Sequence, residues 1–330
     1  MRKNRPGIRP CKLTAALLSL LLLSAAVFCQ EEHDGRKERS SRFQERVRAI
    51  SSGAGSAERR QAILSQLSGM NFDYSLQDFR DGELSGINIR VAFQVREAGR
   101  KTILLGAHYD KALLGKGAVD NASGVSAVLE LLEFFRNRPL KASRLEAVFF
   151  DGEEEGMKGS KAFLRKTGRK DLPAIFLNFD VFGYGDMLWI MSRNARSEAS
   201  RAIRRAADRN GFPIRITSEY PASDHRPFVA AGIETLGLAL LDGTDMEPLL
   251  RGRRPENPRR ESLLQVLHSS ADTPERISPQ DAGRALTLVE EAIRYLDEAN
   301  QDRGLPVPEG AAQIPSRTST QPKGSASSPY

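Results

Sequence analysis

Carboxylates and imidazoles recur in this chain directly after its most apolar runs. Thr102–Ala107 is followed by His108-Tyr109-Asp110, and Leu145–Phe150 by Asp151-Gly152-Glu153-Glu154-Glu155-Gly156. Ile175–Phe179 runs straight into Asp180. Asp120 and Asn121 stand just before an apolar stretch that begins at Ser123, and His268 lies in a late LHSSADTP segment. Groups of this kind gathered at one edge repel each other and lose hydration unless a cation joins them. A nitrogen and oxygen set without sulfur suits zinc, with manganese and cobalt as relatives.

Each feature alone has a plainer reading. His108 can be an imidazole satisfied by Asp110, Asp120 can cap a helix, Glu153–Glu155 can be a solvated loop, and His268 can be a surface residue. Their joint order, each behind a buried strand or at a helix start, is what favours a metal centre.

The elements that must position these groups follow from the apolar pattern. Strands are expected at Ile87–Val95, Thr102–Ala107, Leu145–Phe150, Ile175–Phe179, Met187–Met191 and Thr235–Leu241. Helices are expected at Arg42–Ile50, Ala57–Leu67, Ser123–Phe135, Gly159–Lys166, Ser197–Asn210 and Pro279–Glu298. In Ser123–Phe135 the residues Val125, Val128, Leu129 and Leu132 recur at helical spacing and form a core-facing stripe. Nearly continuous apolar strands separated by helices predict an α/β domain. Its mixed, largely parallel central sheet is covered by helices on both faces. Such sheets carry their sites at the carboxyl ends of strands, where the acids and histidines fall.

The 330 residues are 40% hydrophobic and 28% charged, which excludes a wholly disordered chain. Five cations (Arg2, Lys3, Arg5, Arg9 and Lys12) precede residue 29, where there is no acid. Without them the net charge of +7 falls to +2, too little to argue for nucleic acid. This basic block and the apolar run Leu13–Phe28 have the order of a secretory signal. Export to the periplasm, the medium or the cell envelope is therefore expected. Cys29 follows the run where a lipidated cysteine would stand, although Phe28 is bulky for that role, so membrane attachment through the leader or Cys29 stays open. The other cysteine, Cys11, also lies in the leader, leaving the folded part without disulfide or thiolate chemistry. The expected organisation is a leader at 1–29, a charged linker at 30–42, one domain at 43–300 and a disordered tail at 301–330.

Taken together, GINI at 86–89, LLGAHYD at 104–110, VDNASG at 119–124, FFDGEEEGMKGS at 149–160, LNFDVFG at 177–183, SDHRPF at 223–228 and LHSSADTPERI at 267–277 resemble the M28 family of zinc aminopeptidases. The resemblance implies the zinc aminopeptidase/phosphorylase-like fold, two zinc ions per chain, and peptide substrates with a free N-terminus. It makes His108, Asp120, Glu154, Asp180 and His268 the metal ligands, with Asp120 bridging both ions and Asp110 orienting the His108 imidazole. Glu153 becomes the general base, and Glu155 a plain surface acid. In that chemistry zinc brings the pKa of bound water to about 7, and a carboxylate carries the proton to the leaving amine.

Tyr220 stands three residues before Ser223, a spacing similar to that of bacterial leucine aminopeptidases of this family, which implies an oxyanion role; an ordinary half-buried tyrosine is the alternative. Asp224 and His225 are expected to cap and brace a helix. Residues 242–261, rich in Arg and Pro, read as a solvated loop, with a basic rim that favours acidic peptides as the sharper alternative. Two other functions compete. A glutaminyl cyclase would use one zinc on Asp120, Glu154 and His268, but such enzymes carry a tryptophan where Leu267 stands. A non-catalytic exported binding protein would be expected to have lost ligands, and none is missing.

Overall fold

The structure is a computed structural model and describes residues 35–92, 100–252 and 261–302. The leader, Cys29 and the C-terminal tail lie outside the described residues. Eight strands form one sheet: β1 (Tyr74–Asp81), β2 (Leu84–Ala92), β3 (Lys101–His108), β4 (Ser143–Phe150), β5 (Ile175–Tyr184), β6 (Met187–Met191), β7 (Ile214–Thr217) and β8 (Glu234–Leu241). Their spatial order is β1-β2-β4-β3-β5-β8-β6-β7. The four central strands β4, β3, β5 and β8 are parallel, while β2 and β6 pair antiparallel to that block. The sheet is thus mixed with a parallel centre, as the sequence predicts.

Helices α1 (residues 35–51), α2 (Ser56–Gly69), α3 (Ser123–Asn137), α5 (Glu198–Asn210) and α8 (Pro279–Asp302) contribute to the larger apolar core. There Val125, Val128, Leu129 and Leu132 are fully buried with Ile103, Leu105 and Leu177 of the sheet. On the opposite face, α4 (Lys158–Lys166) and α6 (His225–Ala230) close over Leu104, Val148, Phe150 and Phe176 through Phe163 and Phe228. Gly106 makes that packing possible, because a Cβ there would come within 2.5 Å of the Phe176 ring. Both faces are therefore covered, and strand-end side chains emerge only at the rim. Among the described residues no helix is long and apolar enough to cross a membrane.

Three expectations are corrected. Residues 35–42, read as linker, are the first turns of α1. Two of their charges are paired with buried acids: Arg39 with Glu290, and Arg42 Nη2 with the Glu130 carboxylate at 2.8 Å. Strands β1 and β7 were not anticipated, because each lies at a sheet edge; in β1 only Phe79 is buried, so the apolar signal of a central strand is absent. Part of the stretch 242–261 is helical, with α7 at Met246–Arg251 and a buried Asp245 that accepts from Ser262 Oγ at 2.8 Å. Residues 253–260, which hold most of its arginines, lie outside the described residues.

Candidate metal centre

Three parallel strands deliver the first members of the site. β3 ends on His108, β4 leads into the turn that carries Glu153 and Glu154, and β5 carries Asp180. The turn after β4 is built from Gly152 (φ +68°) and Gly156 (φ +92°), conformations that suit glycine. Asp110 joins two of these elements. Its Oδ2 accepts from the Glu154 N–H at 3.0 Å, and its Oδ1 faces His108 Nδ1 at 3.4 Å.

The start of α3 is stitched onto β5 where that strand loses regular register. Asn121 Nδ2 donates to the Phe179 carbonyl at 2.8 Å, and its Oδ1 accepts from Gly124 and Val181 N–H groups. Ser123 Oγ accepts from the Phe182 N–H at 2.8 Å. A Cβ at Gly124 would lie 2.5 Å from the Phe179 carbonyl oxygen, so the VDNASG glycine permits this approach. The result sets Asp120 beside Asp180.

Asp120 stands at the centre of the cluster. Its Oδ1 lies 3.1 Å from His108 Nε2, which is also 3.5 Å from Asp180 Oδ1. Its Oδ2 lies 3.2 Å from His268 Nε2, which is also 3.2 Å from Glu154 Oε2. Two sets result, His108–Asp120–Asp180 and Asp120–Glu154–His268, each with ligand atoms within 4.8 Å of one another. All five expected ligands are brought together, and Asp120 belongs to both sets. The His108 side chain is 2% exposed and that of His268 57%, so the pocket is closed at its base and open at one wall.

The electrostatics express an excess of negative charge. Burial works against a charged His108, yet Asp110, Asp120 and Asp180 hold its pKa well above the ordinary imidazole value. His268 is pushed up to about 10 by hydrogen bonding to Asp120 and Glu154. Burial opposes the Asp120 charge, but the two histidines outweigh it and keep its pKa below the usual carboxylate range. Glu154 Oε1 and Asp180 Oδ1 are buried without a hydrogen-bond partner. Orphaned carboxylate oxygens beside two imidazoles, with no sulfur, are the donor set that divalent zinc takes. The residues therefore suit a pair of such ions.

Glu153 belongs to neither set. Burial pushes its carboxyl up to about 9; His108 opposes the rise, and Asp224, Asp180 and Asp120 add to it. Glu155 is exposed. The Tyr220 ring packs on Trp189 (4.7 Å between centroids) and edge-on to His225 (5.3 Å). Burial, and then Asp180, raise its hydroxyl pKa well above the ordinary value, so Tyr220 stands within the electrostatic reach of the cluster rather than in it.

His225 is buried against Tyr220 at the start of α6, the bracing place expected of it. Asp224 departs from expectation. It precedes α6 but makes no side-chain cap, and both its carboxylate oxygens are buried without a hydrogen-bond partner. Burial pushes it up to about 7; His108 and the nearby Ser160 hydroxyl oppose the rise, and Asp110 and Asp180 add to it.

Two supporting residues escaped the sequence reading. Asp272 accepts from the Val119 N–H at 2.6 Å and the Asp120 N–H at 3.2 Å, fixing the backbone of the shared carboxylate. Its place four residues after His268, in a segment already singled out, was the available signal. Arg59, on α2, donates to three carbonyls between Tyr109 and Gly117. Nothing in the charged run around it marks it out.

A parallel-centred α/β sheet whose strand ends converge on two nitrogen and oxygen ligand sets defines a metal-dependent enzyme architecture. The family model for Peptidase family M28 matches residues 88–293, and the chain belongs to that family. A vacuolar membrane protease of Leptosphaeria maculans is 31% identical over 205 residues, covering 54% of this chain and 24% of the relative. This chain thus spans about a quarter of that relative's length. A zinc aminopeptidase from Bacillus subtilis superposes with a TM-score of 0.54 at 25% identity, over 64% of this chain and 50% of the other. A glutaminyl cyclase from an Acidobacteriales bacterium superposes with a TM-score of 0.63 at 20% identity, over 79% of this chain and 95% of the other. That second likeness concerns the fold.

Proposed function

We propose that this protein is a two-zinc aminopeptidase that removes N-terminal residues from peptides. The observation that carries the reading is the pair of Asp120 oxygens, each turned toward a different histidine and carboxylate. His108, Asp120 and Asp180 would hold one ion, and Asp120, Glu154 and His268 the other. Such ions would supply Lewis acidity at the scissile carbonyl and lower the pKa of water toward neutral. Asp110 orients the His108 ring from its far side. Divalent charge beside Glu153 would favour its ionised form, and as a carboxylate it takes the proton from the attacking water and returns it to the departing amine, so the nitrogen leaves neutral. The Tyr220 hydroxyl donates to the carbonyl oxygen as it gains charge. Tyr220→Phe should lower kcat by up to about 10²-fold with metal content unchanged; equal kcat in the two proteins would remove Tyr220 from the reaction.

Glutaminyl cyclase activity is the second reading, because Asp120, Glu154 and His268 form a complete set by themselves. The presence of His108 and Asp180, which with the shared Asp120 make a second full set, favours the peptidase. A substrate panel separates the two. The aminopeptidase should cleave leucyl and other free aminoacyl amides and leave N-acetylated ones intact. Cyclisation of N-terminal glutamine without cleavage of any aminoacyl amide would replace this reading with the cyclase. Export of the enzyme, expected from residues 1–29, belongs to the same proposal; fractionation that leaves all of the protein inside spheroplasts, with none in the medium, the periplasmic extract or the membranes, would contradict it.

A further inference from the structure

Arg59 lies on α2, outside the residues that match the family, yet its guanidinium reaches the loop that links two members of the cluster. The residue has no exposed surface. Nε donates to the Tyr109 carbonyl, Nη1 to that of Lys116 at 2.9 Å, and Nη2 to that of Gly117 at 3.0 Å. These carbonyls belong to the stretch that leaves β3 after His108 and returns to Asp120. The loop lacks a core of its own: Leu113 and Leu114 at its tip are 93% and 61% exposed. Asp272 accepts further bonds there: its carboxylate from the Val119 and Asp120 N–H groups, and its carbonyl from the Lys116 N–H at 2.9 Å. Gly117 (φ +58°) lies so close that a Cβ there would sit 3.0 Å from Arg59 Nη1.

We propose that Arg59 is a positioning residue of the metal centre, whose clamp on three carbonyls sets His108 and Asp120 at ion-binding separation before an ion arrives. The proposal rests on the reading of those two residues as ligands. Arginine suits the task because its planar fork aims several N–H donors in fixed directions, which lysine cannot do. Its charge also lies in the field of Asp110, Asp272, Asp120 and Glu154, where it offsets their mutual repulsion. Residues that hold ligands in place commonly tune metal affinity by about 10–100-fold.

The test compares full-length wild type with Arg59→Lys, Arg59→Met and Asp297→Asn. Asp297 is the control, because its carboxylate accepts three N–H groups (Lys141, Ala142 and Ser143, at 2.6–2.8 Å) at the end of β4 remote from the site. Three quantities are read for each: the Tm of the metal-free protein, the zinc Kd by chelator competition, and the visible spectrum with Co2+. Arg59→Met should weaken zinc binding about 10–100-fold and shift the Co2+ bands, with Arg59→Lys intermediate. Asp297→Asn should lower Tm and leave zinc affinity unchanged. If Arg59→Met does not fold, Arg59→Lys decides. A folded Arg59 variant with wild-type zinc affinity and Co2+ spectrum overturns the proposal. An equal affinity loss in Asp297→Asn also overturns it, since stability alone would then explain the effect. Failure of the wild type to bind either ion would instead overturn the ligand assignment, and this inference with it.

Discussion

Glu153→Ala should lower kcat by about 10²–10⁴-fold, the range attributable to one general base, while divalent metal content stays at the wild-type level. The separation of the two readouts follows from geometry. Glu153 adjoins Glu154 in a turn fixed by Gly152, so its place is set by a cluster member, yet it belongs to neither ligand set. Its carboxyl is partly buried in the field of His108, Asp224, Asp180 and Asp120. Removing it takes away a proton carrier but no oxygen that faces an ion. Glu153→Gln keeps the shape without the basicity and should lose as much. Steady-state kinetics beside elemental analysis check both variants, and a Glu153→Ala enzyme of near-normal kcat would assign the base to another group.

Asp120→Ala is expected to do the reverse and empty both sets together. Every other cluster member serves one set, whereas Asp120 is common to the two, so its loss leaves each with only two members. Turnover should drop to background and no stoichiometric metal should survive gel filtration. The thermal behaviour gives an independent reading. Zinc at about 100 times its Kd stabilises a folded protein by about 2.7 kcal/mol, so wild-type Tm should climb with added zinc and that of Asp120→Ala should not. The metal-free variant should itself lose some stability, because the two histidines that hold the Asp120 pKa down lose the carboxylate they share. Calorimetry with and without zinc measures this, and a zinc-dependent rise in the variant would deny Asp120 its shared role.

How far the sequence reveals this molecule depends on where burial leaves a mark. The strands β3, β4 and β5 are buried on both faces, so they appear as apolar runs, and the acids just beyond them are legible as one edge. The α3 stripe is legible for the same reason. Edge strands such as Tyr74–Asp81 need bury only one residue, here Phe79, and their composition resembles a loop. The charges of residues 35–42 resemble a linker because their partners, Glu130 and Glu290, lie about 90 and 250 residues away in the chain. Arg59 is hidden in a similar way, its three carbonyl partners lying 50–58 residues further along the chain. Asp224 shows the complementary difficulty: its position before α6 reads as a cap, and only the packing of the Ser223–Phe228 segment reveals a buried carboxyl in the field of the cluster.

The ion count of the protein, reconstituted with zinc and freed of excess, bears most directly on whether Asp120 serves both donor sets. Two zinc ions per chain are expected, falling to none in Asp120→Ala and remaining two in Glu153→Ala. A single ion that persists when His108 and Asp180 are replaced, or no bound ion at all, would contradict it.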